Sequence, residues 1–115
     1  AEAVLRGGTG ATKNEAMNYL NELRKRAYKE KTVAPIDDNN FTLNFLLDER
    51  GRELFFEAQR RTDLVRFGKY TSADYVWPWK GGVAEGKAVN DKYMIFPLPS
   101  DDIGSNQNLK QNDGY

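Results

Sequence analysis

Residues 43–67 constrain the fold more than any other part of the chain, because they spell a helix with more apolar surface than one face can carry. Leu43, Leu46, Leu47, Leu54, Ala58, Leu64 and Val65 gather on one side at the α-helical period, while Phe45, Phe56 and Phe67 recur at 11-residue intervals on another. Helices that are apolar on more than one side lie inside large bodies, and 115 residues can hardly surround one. The pattern predicts a long buried helix, residues 41–70 with its flanks, started by Thr42 as N-cap.

Upstream, residues 1–6 (AEAVLR) read as the last turns of an amphipathic helix with no N-cap before it, stopped by Gly7, Gly8 and Gly10. Thr12 and Glu15 then form a capping-box pattern, followed by Ala16, Tyr19, Leu20, Leu23 and Ala27 at helical spacing. A second helix is expected from Lys13 to about Lys31. Together, residues 1–31 resemble one tetratricopeptide-type helical hairpin, a unit that needs stacked neighbours for stability. Its opening inside a helix and its lack of neighbours both predict that the chain is part of a larger body. Residues 31–40, with Pro35 and a run of Asp and Asn, read as a loop.

From Gly68 onward the helical period disappears, and residues 71–115 read as a loop-rich tail. Within it, Trp77-Pro78-Trp79-Lys80-Gly81-Gly82 reads as an ordered loop, residues 92–96 (KYMIF) as a short extended stretch, and residues 100–106 (SDDIGSN) as a helical turn. Leu109 and Tyr115 are the tail's docking residues. The fold class is therefore mostly α: a helical hairpin, a long helix and an irregular C-terminal segment.

Composition removes several kinds of chemistry. With no histidine and no cysteine, Ser-His-Asp, Cys-His and HExxH arrangements are excluded. Seventeen basic residues balance seventeen acidic ones, so no net field draws the chain to nucleic acid or to an anionic surface. Arg24, Lys25, Arg26, Lys29 and Lys31 crowd the end of the second helix, where cations suit the dipole, and Glu22 and Glu30 lie among them. Gly81, Gly82 and Lys87 lack the spacing of a phosphate-binding loop. No cofactor is implied, and no metal ligands are nominated.

The densest ionisable group is Glu49, Arg50, Arg52, Glu53, Glu57, Arg60, Arg61, Asp63 and Arg66. Arg50, Glu57 and Arg61 project onto or beside the leucine face, with Glu57 and Arg61 at i, i+4. Buried charges must be paired, so this cluster reads as an internal ion-pair network tying the helix to loops around it. The alternative is a glycosidase pair, Glu49 with Glu53 or Glu57 with Asp63, but carboxylates among arginines favour the ionised state, which is wrong for a general acid. No catalytic residue is assigned. Trp77 and Trp79, flanked by Tyr75 and Tyr93, are the ligand-binding candidates, since an indole offers a broad apolar face for a sugar ring. In extended backbone, residues at i and i+2 point the same way, so both indoles would serve one surface. Packing within the protein is the other use for them.

Four blocks stand in one order: AEAVLRGG with EAMNYLNELRKRAY, then LLDERGRELFFEAQRRTDLVRFGKY, WPWKGG, and FPLPSDDIGSNQNLKQNDGY. In that order they resemble the C-terminal region of SusD/RagB-like proteins over nearly the whole chain. Departures are small: Gly51 sits in the long helix at a cost of about 1 kcal/mol relative to Ala, and Gln107 and Asp113 stand where prolines are usual. The resemblance implies a fragment of a larger SusD-like fold, from a lipoprotein at the extracellular face of the outer membrane of a Bacteroidetes-type bacterium. Its anchor would lie outside these residues. Such proteins bind without catalysis, capturing oligosaccharides, or in some branches peptides, for a TonB-dependent, SusC-like outer-membrane transporter. The other reading of a helical-repeat chain is a protein-protein interaction scaffold.

Overall fold

The computed structural model describes residues 1–29 and 31–115; Glu30, counted above among the charges of the second helix, lies outside the described residues. The chain forms two compact units, Ala1–Gln59 and Arg60–Tyr115. Among the described residues the elements are five α-helices and two 3₁₀ helices, with no strand, so the fold is mostly helical, the class that the sequence pattern leads one to expect. None of these helices is long and apolar enough to cross a membrane.

The first unit is the hairpin plus the start of the long apolar pattern. Helix α1 (Glu2–Leu5) ends at Gly7, whose φ of 88° lets the Gly8 N–H turn back to the Ala3 carbonyl at 2.7 Å. Helix α2 (Lys13–Tyr28) opens on the expected capping box. The Glu15 N–H donates to Thr12 Oγ1 at 3.2 Å, and the Thr12 N–H donates to the Glu15 carboxylate at 2.7 Å. The helix stops at Tyr28, short of Lys31.

Residues 31–40 are irregular but pinned. Asn21 exchanges two hydrogen bonds with the Ile36 backbone, and Asp37 Oδ1 accepts from the N–H groups of Asn39 and Asn40. This holds Ile36 and Phe41 in a core with Ala16 and Leu20 of α2 and Leu46 of the following helix, flanked by Val4, Leu5 and Met17. Helix α3 (Leu43–Glu53) starts at Thr42, whose hydroxyl accepts from the Phe45 N–H at 3.1 Å. Its Leu47 is fully enclosed.

The single helix expected over residues 41–70 is not formed. It is two helices, α3 and α4 (Arg60–Arg66), separated by residues 54–59. Phe56 and Ala58 adopt φ of 65° and 58°, outside the right-handed helical region. The physical reason lies in burial: a helix persists where an apolar face packs, and Phe55 and Phe56 are 71% and 92% exposed. Glu57 is exposed in this break, so the helical i, i+4 relation to Arg61 does not apply.

The second unit holds itself together differently. Among its described residues Leu64 is the buried apolar side chain, and the rest of the fixing is polar. The stretch expected to be extended is a 3₁₀ helix, Asp91–Met94, because Asn90 caps it by accepting from the Lys92 N–H at 2.9 Å; extended backbone resumes at Ile95. Helix α5 (Ser100–Ser105) is the expected turn. The tail docks back through Gln111, which bonds both backbone groups of Leu98, and through the Tyr115 hydroxyl, which donates to the carbonyls of Lys92 and Ile95.

Candidate functional site

The loop carrying the two tryptophans is organised around a buried lysine. Lys80 is 3% exposed, and its ammonium donates to the carbonyls of Lys69 (3.2 Å), Ser72 (2.6 Å) and Tyr75 (2.6 Å). A buried cation must find this many partners to be tolerated. Burial pushes its pKa below the ordinary 10.5, and the negative charge of Asp74 opposes that shift. The same ammonium lies 4.8 Å from the Trp77 ring centroid.

Further backbone bonds close the loop: the Lys87 N–H reaches the Lys80 carbonyl at 3.0 Å, and the Val89 N–H reaches the Thr71 carbonyl at 3.1 Å. Gly86, at φ 77°, packs where a Cβ would fall 2.3 Å from the Trp77 carbonyl oxygen, so no other residue fits there without moving the tryptophan.

The two candidate tryptophans do not share one extended surface. Trp79 sits in the left-handed region at φ 68°, so the alternation rule for strands does not apply to it, and its side chain is 70% exposed. Trp77 is half-buried over Lys80. Beside it lies a cleft of about 490 Å³ lined by Arg60, Arg61, Tyr70, Tyr75 and Trp77, with the buried Leu64.

Helix α4 supplies the two arginines. Arg60 donates to the Tyr75 hydroxyl at 2.6 Å. Arg61 donates to the carbonyls of Tyr93 (2.7 Å) and Met94 (3.3 Å), with its guanidinium 4.9 Å from the Tyr70 ring centroid and 4.1 Å from that of Phe96. Tyr93, expected to flank the tryptophans, instead pairs edge-on with Tyr115 at 6.3 Å. Sequence reasoning counted Arg60 and Arg61 among network charges and passed over Lys80 and Tyr70. A lysine directly after Trp-Pro-Trp carries no signal of its burial.

Of the carboxylates weighed as glycosidase pairs, Glu49, Glu53 and Asp63 are engaged by arginines, while Glu57 is exposed. Glu49, 6% exposed, accepts from Arg52 at 2.6 Å and from Arg24 at 3.2 Å. Arg24 also bonds the Ala34 carbonyl at 3.4 Å, which ties helix α3 to the loop at residues 31–40. Glu53 pairs with Arg26, and Asp63, 2% exposed, accepts from Arg66 at 2.7 Å. The Glu49 contacts are a buried part of the network that the interleaved charges predict, whereas the Glu53–Arg26 pair is exposed. Among the described residues no cluster of three or more potential metal ligands occurs.

The architecture matches known proteins along its whole length. The profile of the SusD family covers residues 1–115. The starch-binding protein SusD of Bacteroides thetaiotaomicron is 43% identical over 115 residues, which are 100% of this chain and 19% of that protein. A solved structure, the surface glycan-binding protein A from Bacteroides thetaiotaomicron, superposes with a TM-score of 0.70 at 28% identity, covering 97% of this chain and 21% of that one. The chain thus spans about a fifth of the length of these relatives. With a match from the first residue to the last and a mostly helical fold shared with a solved relative, the chain belongs to the SusD family.

Proposed function

We propose that this chain is the C-terminal part of a cell-surface binding protein that captures a glycan at the outer membrane and passes it to a TonB-dependent, SusC-like transporter, without chemistry on the sugar. The observation that carries this reading is the 43% identity, over every residue, to a protein named for binding starch. Two features of the molecule support a binding role rather than a catalytic one. Glu49, Glu53 and Asp63 are tied to arginines, and the aromatic groups Trp77 and Trp79 stand on a loop braced from within by Lys80. Carbohydrate recognition combines such aromatic faces with hydrogen bonds to the sugar hydroxyls.

Calorimetry of the full-length protein carrying this chain, against maltooligosaccharides and a panel of other glycans, tests the reading. Micromolar to millimolar binding without turnover is expected. Trp79→Ala should leave thermal stability unchanged, because the side chain is largely exposed, and should weaken binding if Trp79 stacks on the sugar. Absence of binding to every glycan, or hydrolysis of one, overturns the proposal. Purification from membranes tests the partner: a copurifying barrel transporter fits, and a soluble complex of other proteins would favour the interaction-scaffold reading of the helical hairpin.

A further inference from the structure

The cleft beside Trp77 has a chemical character that a general glycan platform does not require. Its lining consists of aromatic and aliphatic side chains together with two guanidinium groups, and no carboxylate lines it. Arg61 is the informative one. Its partners are neutral: the carbonyl oxygens of Tyr93 and Met94 and the ring faces of Tyr70 and Phe96. An arginine half-buried among neutral partners keeps its full charge, and a guanidinium carries five N–H donors, more than those two carbonyls occupy. The wall opposite in character is Trp77, whose orientation is set by Lys80 and by the close approach of Gly86. Tyr75 adds a phenol whose oxygen already accepts from Arg60.

From this juxtaposition, and resting on the glycan-binding reading above, we infer that the cleft lined by Arg60, Arg61, Tyr75 and Trp77 seats an acidic sugar, with a uronate carboxylate facing the arginines and the ring against the indole. The volume of about 490 Å³ accommodates one or two sugar rings. Arginine matches a carboxylate in planar fork geometry, and hydrogen bonds to charged groups are worth more than neutral ones. A neutral sugar offers the guanidinium only uncharged hydroxyl and ring oxygens, which it binds more weakly than a carboxylate. Discrimination should therefore follow the carboxylate.

The test compares trigalacturonate with maltotriose by calorimetry on the full-length protein, with Val76→Glu as the decisive variant. Val76 lines the cleft and is 45% exposed, so the substitution introduces a carboxylate at the rim without emptying the core. Expected is binding of trigalacturonate roughly tenfold or more tighter than maltotriose at low salt, a preference that shrinks as salt rises and is lost in Val76→Glu at an unchanged melting temperature. If Val76→Glu lowers the melting temperature, Val76→Lys serves instead, and it should raise the acidic preference. Equal affinity for the two trisaccharides, or an acidic preference untouched by either variant, overturns the inference while leaving glycan capture intact. Failure of every glycan to bind overturns both.

Discussion

At the scale of single residues, the break between α3 and α4 is written in two backbone angles. Phe56 and Ala58 hold positive φ, a conformation in which an L side chain crowds its own carbonyl and which costs on the order of 1 kcal/mol at each site. Ala58→Gly relieves that crowding, partly offset by the greater freedom glycine has in the unfolded chain. It should raise stability by about 0.5–1 kcal/mol, read from urea denaturation of the protein carrying this chain. A neutral or destabilising result would show that Ala58 is not left-handed in solution. Lys80 makes the opposite point about strain: three carbonyls receive its charge, so its burial is satisfied by geometry. Neither residue announces itself. Alanine is the commonest helix former, and lysine is ordinarily a surface residue.

At the scale of elements, caps and networks divide the work. Helix α2 depends on the box at its start, where the backbone N–H of Thr12 and then its hydroxyl donate to Glu15 and hold that carboxyl below its ordinary value of 4.5. A depressed folded-state pKa means that the unfolded chain binds more protons in the window between the two values. The capping contribution is thus fully present above pH 4.5 and is lost as pH falls through the folded value. Glu15→Ala should melt below the parent at neutral pH, and the gap should narrow in acid. A gap that is constant with pH would assign the effect to packing alone. Helix α3 depends on Glu49, whose pairing with Arg24 and Arg52 allows a carboxylate to be buried beside the leucines, a position the helical projection had not singled out.

At the scale of the whole molecule, the two units are stabilised by different means. The first has an apolar core of Ala16, Leu20, Ile36, Phe41 and Leu46; the second has Leu64 and a set of carbonyl clamps from Lys80, Arg61, Gln111 and Tyr115. Hydrophobic burial is the larger and more cooperative of these contributions, whereas single hydrogen bonds add roughly 1 kcal/mol each. Hydrogen exchange should accordingly show stronger protection of amides in α2 and α3 than in residues 69–98. Equal protection across both regions would mean that they open as one cooperative body. Most of this architecture was legible beforehand: the capping box, the Thr42 start, the loop at 31–40 and the turn at 100–106 rest on local chemistry that operates wherever those residues occur. What was not legible depended on neighbours. The helical period runs unbroken through residues 54–59, yet the phenylalanines there find nothing to bury them within the unit, and the chain turns.

The site divides in the same way. The sequence by itself determined the family, the helical class, the exclusion of histidine and cysteine chemistry, and the choice of Trp77 and Trp79 as candidate aromatic faces, because each of these follows from residue identity and spacing. Only the tertiary structure decided that the two indoles part company, that Lys80 is the internal brace of their loop, and that Arg60 and Arg61 meet Tyr75 and Trp77 around one cleft. The physical reason is that the brace and the cleft join residues well apart in sequence, Lys80 to Lys69 and Arg60 to Tyr75 among them, through a backbone carbonyl and a phenol hydroxyl. Every residue has a carbonyl, so no sequence pattern marks the one that a buried cation will choose.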